Sequence, residues 1–170
     1  MDRNGQKWTF KLLTSNNMTI RDANNLDIPF INEIMRVSKA HWGYGTAFMD
    51  VFMEKFSINE KYLAENTTKV LSQNEHIIGF FSFAFHDDQS LELYHFFLHP
   101  DFIGKGFGRD MWNACCLVAQ ELGANEFTLW SDPQAELFYS KMGCEKIGVK
   151  KSPLMENRYP SIMRYKLQNN

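Results

Sequence analysis

The chain has 170 residues, 44% of them hydrophobic and 22% charged, which suits one domain with a buried core. A formal net charge of −2 provides no general attraction to nucleic acid or to an anionic membrane, so neither is expected as a partner. Three cysteines, two of them adjacent (Cys115, Cys116 and Cys144), argue against a disulfide framework and for a reducing, cytoplasmic setting; with no CxxC spacing and scattered histidines, no metal site is expected.

Residues 1–17 are polar and lack the apolar run of a secretory signal, so they read as a flexible tail ahead of a domain spanning 18–170. No stretch approaches the ~20 apolar residues of a membrane span. Met18 to Asp22 is β-prone. Asp27 stands where a helix cap belongs, with Pro29 in the first turn, and Ile31, Ile34, Met35 and Ser38 then mark one helical face. Further helical stretches are expected through Ala47 to Phe56 and Asn59 to Asn66.

The period then changes. Thr67 to Gln73, Ile77 to Phe85 and Leu91 to Leu98 are rich in β-branched and aromatic residues and are separated by turn-prone polar runs, which predicts a three-strand antiparallel meander. A helix follows from about Gly106 to Leu122, with Phe107, Met111, Cys115, Val118 and Leu122 on one side and Gly123 at its end. Glu126 to Trp130 predicts a strand. Asp132-Pro133 reads as a cap and first-turn proline opening a helix that Gly143 closes, and Cys144 to Lys150 and Tyr159 to Leu167 make a last pair of strands. The order implies an α+β fold with a mixed, mostly antiparallel sheet flanked by helices.

The most informative stretch is Ile103-Gly104-Lys105-Gly106-Phe107-Gly108-Arg109, three alternate glycines between a strand and a helix. Glycine allows a close backbone approach, and exposed N–H groups at a helix start suit a phosphate, with Lys105 or Arg109 adding charge. By geometry alone the loop also reads as a plain tight turn. A dinucleotide fingerprint fails because position 109 is arginine, and no P-loop pattern occurs.

This loop resembles motif A of the GNAT superfamily of N-acetyltransferases, [RQ]xxGx[GA], with Gly106 and Gly108 as its glycines and Ile103 in place of the usual Arg or Gln. Downstream, Asp132-Pro133-Gln134-Ala135-Glu136-Leu137-Phe138-Tyr139-Ser140-Lys141-Met142-Gly143-Cys144 is similar to motif B, with Asp132 where asparagine is frequent and Cys144 where phenylalanine is frequent. The two motifs stand in the family's order, and the resemblance covers roughly Met18 to Leu167. It implies a GNAT-type fold and an enzyme that transfers acetyl from acetyl-CoA to an amine of a small molecule or peptide. Cofactor contacts would come from Phe97, Leu98 and His99 on the strand, from Ile103 through Arg109 in the loop, and from Asp132, Ala135, Phe138 and Tyr139 in motif B.

In such a reaction the amine must lose a proton and the leaving thiolate needs a donor. The resemblance places Tyr139 beside the coenzyme A sulfur as the acid. Glu92 is the candidate base: alternation along Leu91 to Leu98 sets it on one side with Tyr94, Phe96 and Leu98, and His95 on the other. It also lies eleven residues before Ile103, the offset of the base in some histone-type members. A solvated glutamate at a strand start remains the plain reading. Trp42 and Tyr44, in a glycine-flanked aromatic run, are candidates for the acceptor wall and equally for core. Arg158 reads as a loop charge or as a contact for an acidic acceptor. The alternative function is an acyl-CoA-binding sensor or interaction module without catalysis, with which Ile103 is consistent; Tyr139 and Glu92 favour the enzyme. Dimers are frequent in the family, so a homodimer is compatible with the resemblance, and the acceptor amine is unidentified.

Overall fold

The protein is described here from a computed structural model covering residues 18–168; the expected tail, 1–17, lies outside the described residues. In chain order the elements are β1 (Met18–Asp22), α1 (Ile28–Ala40), α2 (Thr46–Phe56), α3 (Glu60–Glu65), β2 (Thr67–Gln73), β3 (His76–Phe85), β4 (Leu91–Leu98), α4 (Phe107–Glu121), β5 (Glu126–Ser131), α5 (Glu136–Lys141), β6 (Glu145–Val149) and β7 (Ser161–Lys166). They form one seven-stranded sheet in the order β1-β2-β3-β4-β5-β7-β6. Every neighbouring pair is antiparallel except β4 with β5, which is parallel. The expected α+β architecture is observed.

The sheet is covered on both faces, because the alternation of its central strands sends apolar side chains both ways. Phe80 and Phe81 are adjacent and fully buried, yet they belong to different cores. Phe80 packs with Ile31, Met35 and Phe52 from α1 and α2. Phe81 packs with Met111, Trp112 and Phe127, beneath α4. At ~25 cal/mol per Å² of apolar surface, each such phenylalanine contributes about 2–3 kcal/mol relative to exposure.

Two helix starts differ from expectation. Asp27 makes no side-chain cap on α1; its carboxylate takes a bidentate contact from Arg21 (2.7 and 2.8 Å) and the backbone N–H of Asn24 (2.8 Å), and Asn24 caps a preceding single turn. Asp132 does not cap α5 either. The chain makes a turn from Asp132 to Ala135, the helix proper begins at Glu136, and the Asp132 carboxylate is used elsewhere. In both places a cation within reach outcompetes the helix end for the carboxylate, since a charge-assisted contact is the stronger one.

The feature that positions the site is the parallel junction. β4 and β5 pair only at Glu92 with Thr128 and at Leu93 with Leu129. Beyond Leu93 the two strands part, so β4 from Tyr94 onward has a backbone edge that β5 does not occupy, while its other edge stays paired to β3 as far as Leu98. Next to this junction β4 carries a bulge: Ser82 pairs with His95 and Phe83 with Leu93, so Tyr94 is the extra residue.

Candidate active site

The bulge resets the faces of β4. A regular strand would set Glu92 with Phe96 and Leu98 and oppose it to His95. Instead Leu91, Leu93, Phe96 and Leu98 share the α4 face, and Glu92 comes to the side of His95 and Phe97, toward α1 and α2. One inserted residue reverses the parity of everything after it.

A cavity of about 400 Å³ opens on that side, at the fork between β4 and β5. Both proposed catalytic residues line it: Glu92 from β4 and Tyr139 from α5. The Glu92 side chain is 9% exposed, and its Oε2 lies 2.5 Å from Nε2 of His86, a half-exposed residue just beyond β3. Burial raises the Glu92 pKa above the usual carboxylate range, opposed by the His86 contact. Tyr139 is buried against Phe96 and Trp112, at ring distances of 6.0 and 5.8 Å. Burial raises its pKa as well, so its hydroxyl holds its proton.

His95 also borders the cavity, but both ring nitrogens are engaged. Nε2 donates to the Phe56 carbonyl (3.1 Å), which leaves Nδ1 to accept from the Ser82 hydroxyl (2.8 Å), and Ser82 Oγ in turn accepts from Tyr62 (2.8 Å). Full burial pushes the imidazolium down to about 4, so His95 is neutral and structural rather than a base.

The glycine loop lies at the start of α4. Gly104 and Gly106 have φ of +78° and +91°, a left-handed backbone that disfavours any side chain, and this lets the chain turn from Ile103 directly into the helix. Arg109 and Asp110 donate to the Gly106 carbonyl, so the N–H groups of Phe107 and Gly108 precede the first helical bond. Gly108 sits under Phe138: an added Cβ there would lie 3.4 Å from its ring. Ile103, Lys105 and Arg109 are exposed, whereas the Phe107 side chain is buried in the core and offers only its backbone. On β4, Phe97 stacks on Phe80 (5.7 Å), Leu98 pairs with Gly79, and the His99 N–H donates to the Ile78 carbonyl (2.7 Å).

Trp42 and Ala135 line the cavity. Tyr44 stands behind its wall, stacked on Phe48 (4.3 Å), with its hydroxyl donating to Asp132 Oδ1 (3.3 Å). Asp132, expected to meet a cofactor, has its carboxylate in contact with two cations: Nζ of Lys39, from the end of α1, and the guanidinium of Arg158. All three line the cavity, with side chains 7, 16 and 16% exposed for Lys39, Asp132 and Arg158. Lys39 escaped the sequence reading because charge suggests solvent. Its spacing of four from Met35 and eight from Ile31, both fully buried, was the signal that pointed inward.

Among the described residues no group of histidines, cysteines and carboxylates is arranged to hold a metal, and no helix is long and apolar enough to cross a membrane. A family model described as an acetyltransferase (GNAT) domain matches residues 33–153. No curated protein matches the chain. Among solved structures, a GCN5-related N-acetyltransferase from Rhodopseudomonas palustris superposes with a TM-score of 0.73 at 18% identity, over 88% of this chain and 95% of that one. PaiA N-acetyltransferase from Thermoplasma acidophilum, solved with coenzyme A, gives 0.71 at 20% identity over 88% and 98%. YncA from Salmonella typhimurium, solved with acetyl-CoA, gives 0.66 at 21% identity over 91% and 96%. At these identities the likeness is one of fold.

Proposed function

The chain belongs to the GNAT acetyltransferase family, and on that premise we propose that it transfers acetyl from acetyl-CoA to the amine of a small molecule or peptide. The observation that carries the reading is the fork between β4 and β5, where a free strand edge, Glu92 and Tyr139 meet in one cavity. The residues fit the donor. The first-turn N–H groups of α4, with Lys105 and Arg109 nearby, suit its pyrophosphate, and the edge from Tyr94 to Leu98 suits an amide-bearing arm that needs backbone partners. When bound, acetyl-CoA supplies an acetyl thioester.

This chain's own groups handle the protons. Glu92 takes a proton from the acceptor amine at a carboxylate oxygen, a task for which its raised pKa brings it closer to neutrality. His86, half in solvent, contacts Glu92 Oε2 and favours the ionised carboxylate that can accept this proton. Tyr139, its pKa raised by burial, acts as a hydrogen-bond donor to the departing sulfur rather than giving up its proton outright.

The test is thiol release from acetyl-CoA with a panel of amines, on the wild type and on Tyr139→Phe. Turnover with at least one amine, reduced about 10²-fold in kcat in the variant, supports both the reaction and the donor role. Unreduced turnover removes Tyr139 from the chemistry. Acetyl-CoA binding without turnover of any amine favours a sensor, and absence of binding defeats the proposal.

A further inference from the structure

The cavity wall gathers two basic side chains around one carboxylate. Lys39 and Arg158 share one carboxylate, that of Asp132. Arg158 also reaches Ser152 Oγ (3.3 Å) and the Tyr44 hydroxyl (3.4 Å), which are neutral partners. The ammonium of Lys39 is further enclosed by the rings of Phe52 (4.9 Å) and Tyr44 (5.0 Å). The Glu92 carboxylate is engaged elsewhere, in contact with His86. Lys55 also borders the cavity but is exposed and screened by water. Burial, with the neighbouring Arg158 guanidinium, lowers the Lys39 pKa to about 7, so near neutral pH Lys39 and Arg158 hold between one and two positive charges against the single Asp132 carboxylate. A buried charge is costly unless paired, and two like charges on one carboxylate repel.

Resting on the acetyl-transfer reading above, we propose that the acceptor is a small amine that also carries a carboxylate, and that Lys39 and Arg158 receive that carboxylate. One monoanion placed on Lys39 and Arg158 favours the protonated Lys39 and balances the positive charge that this adds. A phosphate, at about −1.5 to −2, would overshoot it in a cavity whose other walls include Trp42, Phe52, Phe56 and Phe97. The guanidinium fork suits a planar carboxylate, and the ammonium adds a point charge beside it. The amine of the same molecule then lies toward Glu92 and Tyr139.

The experiment is thiol release from acetyl-CoA with α-, β- and γ-amino acids, each compared with its own carboxamide, together with simple alkyl amines and polyamines. Wild type is expected to show kcat/KM at least about tenfold higher for a free acid than for its carboxamide. In Arg158→Gln that ratio should fall to within about threefold, and Arg158→Lys, which keeps the charge without the fork, should fall between. The acid-to-amide ratio of the wild type needs no variant, so a poorly folding Arg158→Gln does not disable the test. Carboxamides or simple amines turned over as well as the acids would overturn the inference while leaving acetyl transfer intact. A ratio that survives in both variants would overturn the role of the cluster. No turnover of any amine would overturn the acetyl-transfer reading and this inference with it.

Discussion

Gly79 offers the sharpest test of how the site is held. It pairs with Leu98 across β3 and β4, and an added Cβ would lie 2.9 Å from the Phe97 carbonyl oxygen, 3.1 Å from Leu98 Cδ1 and 3.2 Å from Met111 Sδ. The sulfur and the methyl can yield; the carbonyl belongs to the paired strand and can retreat only if β4 shifts. Overpacking of this kind costs about 1–3 kcal/mol, and the stiffer unfolded chain of the alanine variant offsets about 0.4–1 kcal/mol of it. Gly79→Ala should thus be destabilised by about 1–2 kcal/mol, a fall in Tm of roughly 2–8 °C for a domain of this size. The strand that must move is the one whose edge faces the fork, so the KM for acetyl-CoA should rise by about threefold or more. Urea unfolding and donor titration measure the two effects. A variant with wild-type stability and wild-type donor affinity would refute the reasoning, because it would mean that the close approach constrains nothing.

Acidity should report on Glu92. As the base it works ionised, so kcat/KM falls as pH drops through its raised pKa; Glu92→Gln should lose that limb and about 10²–10⁴ in kcat. The His86 contact lowers the Glu92 pKa, so His86→Ala should move the limb to higher pH, and a shift to lower pH would contradict the pairing. His95 should set the acid stability of the fold. Its folded pKa of about 4 lies below the ordinary 6.5, so between these values the unfolded chain binds the extra proton and stability declines as pH is lowered through that window. At about 1.4 kcal/mol per pH unit the full effect is about 3 kcal/mol. His95→Gln should show a flatter dependence of the urea midpoint between pH 6.5 and 5, and an unchanged slope would show that another group dominates.

Much of the architecture was legible because the central strands and α4 have strong periods. The meander and the amphipathic helix agree with expectation to within a residue or two at each end. The glycine loop was legible too, since left-handed backbone at Gly104 and Gly106 leaves few residue choices. Two things were hidden. The bulge at Tyr94 has no marker in Leu91 to Leu98, which alternates well enough to look regular, so alternation sets Glu92 on the face opposite to the one it takes. The Lys39–Asp132–Arg158 group joins residues far apart in the chain, and each alone has an ordinary place in solvent. Asp132 in particular looked like a helix cap, because a local rule was available and its distant partners were not.

The two-rung junction also matters for how the chain assembles. Residues 18–98 build β1 to β4 and residues 126–166 build β5, β6 and β7, so each half-sheet is made from one continuous stretch of sequence. Each half can gain most of its strand pairing before the other exists, and only the Glu92–Thr128 and Leu93–Leu129 rungs have to wait for the segment between them to close. Trp112 and Phe127, whose rings lie 5.6 Å apart, then couple α4 to the second half by packing rather than by backbone. The seam is therefore the place where native-state hydrogen exchange should find the least cooperative part of the sheet, and where a molecule bridging both strands would most stiffen the whole.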